Sequence, residues 1–248
     1  MPSIIKLYES VTEMTVYERS PYSGKLVFAA FSGSHQDAIS KGLKCRKDNN
    51  TNNWNVPYLP IDPSDLNREY EADVIRINSQ SGKGGISYIL ENNFGLELPI
   101  KMREEVGYLI KDVSDKEHKE LTPSEVYNIF EKNYINIETN LKLKEYHFIR
   151  EGESFKVMLN VIYNNEELDL VGKGNGRLDA VSNAIKKGLG LQYTITTYSE
   201  HALTQGSTSK AVAYVCITTN DSKNHWGVGI HDDIIAASIK ALFSAINK

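Results

Sequence analysis

The residues of this chain that could do chemistry are six histidines, two cysteines and several glycine-rich runs. The histidines are His35, His118, His147, His201, His225 and His231, and no two stand at the H-x-H or H-x-x-x-H spacing of a metal motif. Cys45 and Cys216 are far apart, so the sequence carries no local metal-site signature and no metal ligand is assigned. No G-x-S-x-G elbow marks a nucleophilic serine. Gly82-Lys83-Gly84-Gly85 lacks the first glycine of a P-loop, and Gly172-x-Gly174-x-Gly176 departs from the dinucleotide fingerprint G-x-G-x-x-G. Such runs serve equally as tight strand-to-helix turns. Bare amides at a helix N-terminus also hold carboxylates, so a repeated pair of these turns could bind a small anionic metabolite such as an amino acid. His35, just behind Ser34, falls in the first turn of an expected helix. The positive end of the helix macrodipole suits a neutral imidazole acting as a general base. A surface histidine at a helix start is the competing reading.

Composition narrows the classes. The chain has 248 residues, 40% hydrophobic and 24% charged, with a formal net charge of −4. These are the values of a globular protein, with no global electrostatic case for nucleic acid or an anionic membrane surface. No apolar run is long enough to span a bilayer, and the start Met1-Pro2-Ser3-Ile4-Ile5-Lys6 lacks a signal peptide's apolar stretch. Two cysteines make no disulfide framework, which points to a reducing, cytoplasmic compartment.

Three segments must position these residues. The first, 1–95, is rich in Gly, Pro, Ser and Asn. Ser34-His35-Gln36-Asp37 is close to a capping box and predicts a short helix to about Lys47. The polar stretch from Asp48 to Asn53 predicts a loop. Three prolines keep Val56-Pro57-Tyr58-Leu59-Pro60-Ile61-Asp62-Pro63 out of helix. The second segment, 96–137, is helical. Met102, Val106, Leu109 and Val113 recur at helical spacing, and Thr122-Pro123-Ser124-Glu125 is a capping box ahead of Val126, Ile129 and Phe130. The third, 138–248, contains an internal repeat. Phe155, Val157, Leu159 and Val161 alternate with polar residues, as do Ala211, Ala213, Val215 and Ile217. A further strand, a glycine run and an amphipathic helix follow each. Strands at about 141–149 and 191–198 precede them. The expected fold is α+β: helical linker subdomains, then a regulatory domain of two strand–strand–strand–helix repeats related by a pseudo-two-fold.

Longer motifs carry a resemblance. Phe31-Ser32-Gly33-Ser34-His35-Gln36-Asp37-Ala38-Ile39, Trp54 through Pro63, and Arg76-Ile77-Asn78-Ser79-Gln80-Ser81-Gly82-Lys83-Gly84-Gly85 resemble the 2-isopropylmalate synthase family. So do Gly174-Asn175-Gly176, Tyr198-Ser199-Glu200-His201-Ala202 and Trp226-Gly227-Val228-Gly229-Ile230 in its leucine-sensing part. The resemblance implies condensation of acetyl-CoA with 2-oxoisovalerate, the committed step of leucine biosynthesis. A divalent metal in a catalytic barrel acts there as the Lewis acid. Such a barrel takes about 250 residues and would lie upstream of Met1, so this chain holds no cofactor and is expected to be inactive alone. His35 and Tyr58 match positions that reach into a partner's barrel, His35 toward acetyl-CoA enolisation and Tyr58 as a hydrogen-bond donor.

The same resemblance implies a homodimer that binds leucine through Gly174, Asn175, Gly176, Leu178, Ala180, Tyr198, Ala202 and Ala211. Arg177 departs from the family, which commonly has proline after Gly-Asn-Gly. A separate catalytic barrel chain is a further expected partner. A free-standing amino-acid sensor and a piece of the related citramalate synthase, which senses isoleucine, are the alternatives.

Overall fold

In a computed structural model, residues 1–30, 33–49, 53–70, 83–119, 121–204, 206 and 209–248 are described. The Arg76–Gly82 part of the third motif, residues 31–32 and loop residues 50–52 lie outside them. So does any capping role for the Ser34 side chain. The chain forms two compact units, Met1–Asn93 with Arg103–Tyr127, and Phe94–Met102 with Asn128–Lys248.

The first unit contains α1 (Pro2–Thr12), α2 (Gly33–Asn49), a 3-10 turn (Pro63–Leu66) and most of α3 (Lys83–Phe94). It also holds most of α4 (Ile100–Glu117) and the start of α5 (Pro123–Tyr134). Helix α2 starts at Gly33 and runs to Asn49, two residues into the expected loop. Asn49 turns its side-chain amide back onto the Cys45 carbonyl at 2.9 Å and so prolongs the last turn. Phe28, Ile39, Val56 and Leu59 form a small core in which the proline-rich stretch packs on α2.

The capping box at the start of α5 closes as its sequence dictates. The Thr122 amide donates to Glu125 Oε2 at 2.8 Å, and the Glu125 amide approaches Thr122 Oγ1 at 3.4 Å. The Thr122 hydrogen bonds and Lys119 lower the Glu125 carboxyl from its ordinary 4.5 to about 2. Stability that depends on its ionised form is therefore complete above about pH 4.5 and lost as pH falls toward 2. Thr122→Ala is expected to cost about 1 kcal/mol at pH 7. Urea titrations at pH 7 and near pH 2 should show that difference shrinking in acid; an equal difference at both would exclude the box.

The second unit is the repeat itself. Strands β1 (Leu141–Glu151), β2 (Ser154–Tyr163) and β3 (Glu166–Gly174) form one antiparallel sheet, followed by α6 (Arg177–Leu189). Strands β4 (Tyr193–Ala202), β5 (Ala211–Thr219) and β6 (Asn224–His231) form a second, followed by α7 (Ile234–Ile246). Each first strand carries a bulge near its start, between Leu143 and Glu145 and between Ile195 and Thr197. The duplication thus extends to its irregularities.

The inward faces of both sheets, with α6 and α7, bury one core that includes Val157, Val161, Ile185, Val215, Ile239 and Leu242. Strand β5 is buried on both sides, because its other face (Val212, Tyr214, Cys216) is covered as well. Segment 135–137 lies along β6, where Ile135 bridges Val228 and Asn136 bonds the Val228 and Ile230 carbonyls. Among the described residues no helix is long and apolar enough to cross a membrane.

Candidate functional site

Two places gather the residues singled out by sequence. In the first unit, His35 on α2 and Tyr58 in the proline-rich stretch stack, with ring centroids 3.9 Å apart and planes 23° from parallel. Three local devices bring them together. Gly42 lets the stretch touch α2: a Cβ there would meet Pro57 Cδ at 2.8 Å and Val56 Cγ1 at 3.2 Å. The Trp54 indole donates to the Leu59 carbonyl at 2.7 Å and closes the loop. Arg46 lies over Trp54 at 4.8 Å and pairs with Asp62 at 2.7 Å. Burial works against the ionised Asp62, but its hydrogen bonds from Ser64 and the Arg46 guanidinium outweigh it and lower the carboxyl below its ordinary range.

Tyr58 has φ +63°, following Pro57. That is the pattern of a type II turn, in which Gly or Asn normally takes the second central place. A tyrosine there costs on the order of 1 kcal/mol of backbone strain. The ring is 60% exposed, so core packing does not explain it. In this conformation the exposed ring lies over His35. Sequence reasoning missed this, although Pro57 before a non-glycine was its visible sign.

In the second unit, a cavity of about 410 Å³ opens at the start of α6. Its lining includes the expected Gly176, Leu178 and Tyr198. Phe155 of β2, Asp179 of α6, and Ile235, Ser238 and Ile239 of α7 also line it and were not foreseen. Ile235 takes the place in α7 that Leu178 takes in α6, so the repeat itself was the signal for this second wall. Gly174 ends β3 and Asn175 begins the turn leading in, where its amide donates to Asp179 Oδ2 at 2.9 Å. Ala180 is fully buried under the sheet. Ala202 and Ala211 pair across β4 and β5 and are not among the lining residues.

The cavity's polar groups are few and placed. The Tyr198 hydroxyl bonds Glu200, and it lies 2.9 Å from Ser238 Oγ. Burial, and next the Glu200 hydrogen bond, push the Tyr198 phenol up to about 12, so it stays protonated at neutral pH. Gly176 is the N-cap of α6 and offers no capping side chain, whereas Asp233 caps α7 by accepting from the Ile235 and Ala236 amides. The two repeats thus differ at their helix starts: α7 has a side-chain cap, whereas α6 has none and carries Asp179 in its first turn.

Comparison with known proteins gives this geometry its context. Residues 25–91 match the family described as alpha-isopropylmalate synthase, post-catalytic domain-like. Residues 120–248, more than half of the chain, match the LeuA allosteric (dimerisation) domain. The chain belongs to the 2-isopropylmalate synthase family. Its similar relatives include the 2-isopropylmalate synthase of Desulfitobacterium hafniense, 56% identical over 247 residues, which covers 100% of this chain and 44% of the relative. That of Helicobacter hepaticus is 53% identical over 256 residues, covering 100% of this chain and 46% of the relative. That of Clostridium acetobutylicum is 48% identical over 253 residues, at 99% and 45%. The chain therefore spans a little under half the length of these curated 2-isopropylmalate synthases. It corresponds to the C-terminal part, with both repeats of the allosteric domain present.

Proposed function

We propose that the chain is the accessory and allosteric portion of a cytoplasmic 2-isopropylmalate synthase that senses leucine and forms a homodimer but does not turn over alone. The observation carrying this is the cavity at the start of α6. Open helix amides suit a carboxylate, and Leu178, Ile235 and Ile239 suit a branched aliphatic side chain. The domain's family description, allosteric and dimerisation, supports the regulatory and dimeric parts of the reading. Condensation of acetyl-CoA with 2-oxoisovalerate, and the divalent metal it uses, are assigned to a barrel outside this chain.

Isothermal titration of the purified chain with leucine should give saturable binding, with isoleucine and valine weaker. Equal binding of isoleucine would move the reading toward citramalate synthase, and no binding of any of the three would overturn the sensor role.

A second reading is favoured by one specific observation, the strained Tyr58 stacked on His35. A sensor has no use for that pair. It fits a role in which these two residues complete a partner barrel's active site, with His35 moving the acetyl proton and the Tyr58 hydroxyl orienting the reacting groups.

A further inference from the structure

We propose that Arg177, the first residue of α6, is the carboxylate anchor of the α6 cavity. Its occupant is accordingly a small branched amino acid bound with one molecule per chain. The inference rests on the leucine-sensing reading and names how that site selects its ligand.

Arg177 is the first residue of α6 and lines the cavity. Its guanidinium lies over Phe155 at 5.2 Å and over Phe148 at 6.0 Å. The residue is exposed, and both rings lie within cation–π reach of its guanidinium, which favours this placement of the side chain. They use none of its five N–H donors, which lie in the plane and so stay available for a bidentate carboxylate. Among the described residues no acid pairs with it. Asp179, the cavity's carboxylate, is engaged by the Asn175 amide and the Asn183 side chain. Beyond the cation stands the apolar wall of Phe155, Leu178, Ile235 and Ile239.

The far side is polar and, among the described residues, carries no cation. The Tyr198 hydroxyl bonds Glu200 and lies 2.9 Å from Ser238 Oγ, with either hydroxyl able to donate, and Ser238 also bonds the Ile234 carbonyl at 2.7 Å. These oxygens can accept from an ammonium, so the cavity suits a cation at one end and an anion at the other. In the second repeat the place of Arg177 is taken by Ile234, and Asp233 already occupies the helix amides. That repeat has no equivalent cation, so the anchor occurs once per chain.

Titrations of the full chain with leucine and with leucinamide, which lacks the carboxylate, test this. Wild type should bind leucine one to one, and leucinamide more weakly by about tenfold or more. Arg177→Gln should lose about tenfold to a hundredfold in leucine affinity while keeping wild-type leucinamide affinity and melting temperature. Arg177→Lys, which keeps the charge but not the fork, should fall between. Unchanged leucine binding by Arg177→Gln would overturn the anchor and leave the sensor standing. An equal loss of leucinamide would also overturn it, by making Arg177 structural. A wild-type chain that binds neither compound would overturn both readings.

Discussion

Gly229→Ala is expected to destabilise the repeat unit by about 3 kcal/mol or more, enough to leave it largely unfolded at moderate temperature. A Cβ at Gly229 would stand 1.9 Å from the Ala237 carbonyl oxygen and 2.5 Å from the Ala241 amide of α7. Both are helix backbone, so no side chain can turn aside; the sheet and helix would have to separate across a close-packed core. Gly172 holds the same place in the first repeat, with the Ala180 oxygen at 2.3 Å and the Ala184 amide at 2.4 Å, and Gly172→Ala should behave alike. Gly176→Ala, with nothing within 4 Å of the added carbon, should cost less than about 1 kcal/mol. Urea unfolding followed by circular dichroism compares the three. A Gly229→Ala chain as stable as Gly176→Ala would show that the helix does not lie on the sheet as described.

The second large effect concerns catalysis in trans. If the second reading proposed above holds, mixing the wild-type chain with the remaining portion of the Desulfitobacterium 2-isopropylmalate synthase, the part this chain does not cover, should restore CoA release from acetyl-CoA and 2-oxoisovalerate. His35→Ala should then lower kcat by about a hundredfold or more, the usual worth of a general base. Tyr58→Gly separates function from stability. It relieves a φ of +63° but gives up the stacking on His35 and adds freedom to the unfolded chain, so stability should change by less than about 1 kcal/mol. The same change removes the hydroxyl and should lower turnover. A wild-type mixture without activity would overturn the in-trans reading, and unchanged kcat in His35→Ala would remove His35 from the chemistry. A Tyr58→Gly chain destabilised by much more than about 1 kcal/mol would show that the turn is not strained.

Much of the fold was legible in the residue order. Period-two alternation around Phe155 to Val161 and Ala211 to Ile217 announces strands, because a half-buried sheet sorts side chains by face at every step. The Thr122–Glu125 pair announces the α5 start, because its two hydrogen bonds need only neighbours in sequence. The end of α2 was less legible, since the Asn49 side chain could either favour a loop or prolong the helix.

The sites divide in the same way. The sequence by itself determined the duplicated architecture, the family resemblance and the capped start of α5, since these depend on local pattern and near-neighbour bonds; helices α1 and α3 carried no such signal and were not foreseen. Only the tertiary structure decided that Tyr58 lies on His35, through the Gly42 contact, the Trp54 bond and a strained turn. Only it decided that α7 supplies the second wall of the α6 cavity, and that Arg177, though exposed, lies over Phe155. Those arrangements join residues distant along the chain. Their geometry is set by how closely backbone can approach backbone, which glycine permits at Gly42, Gly172 and Gly229 but residue order alone does not specify.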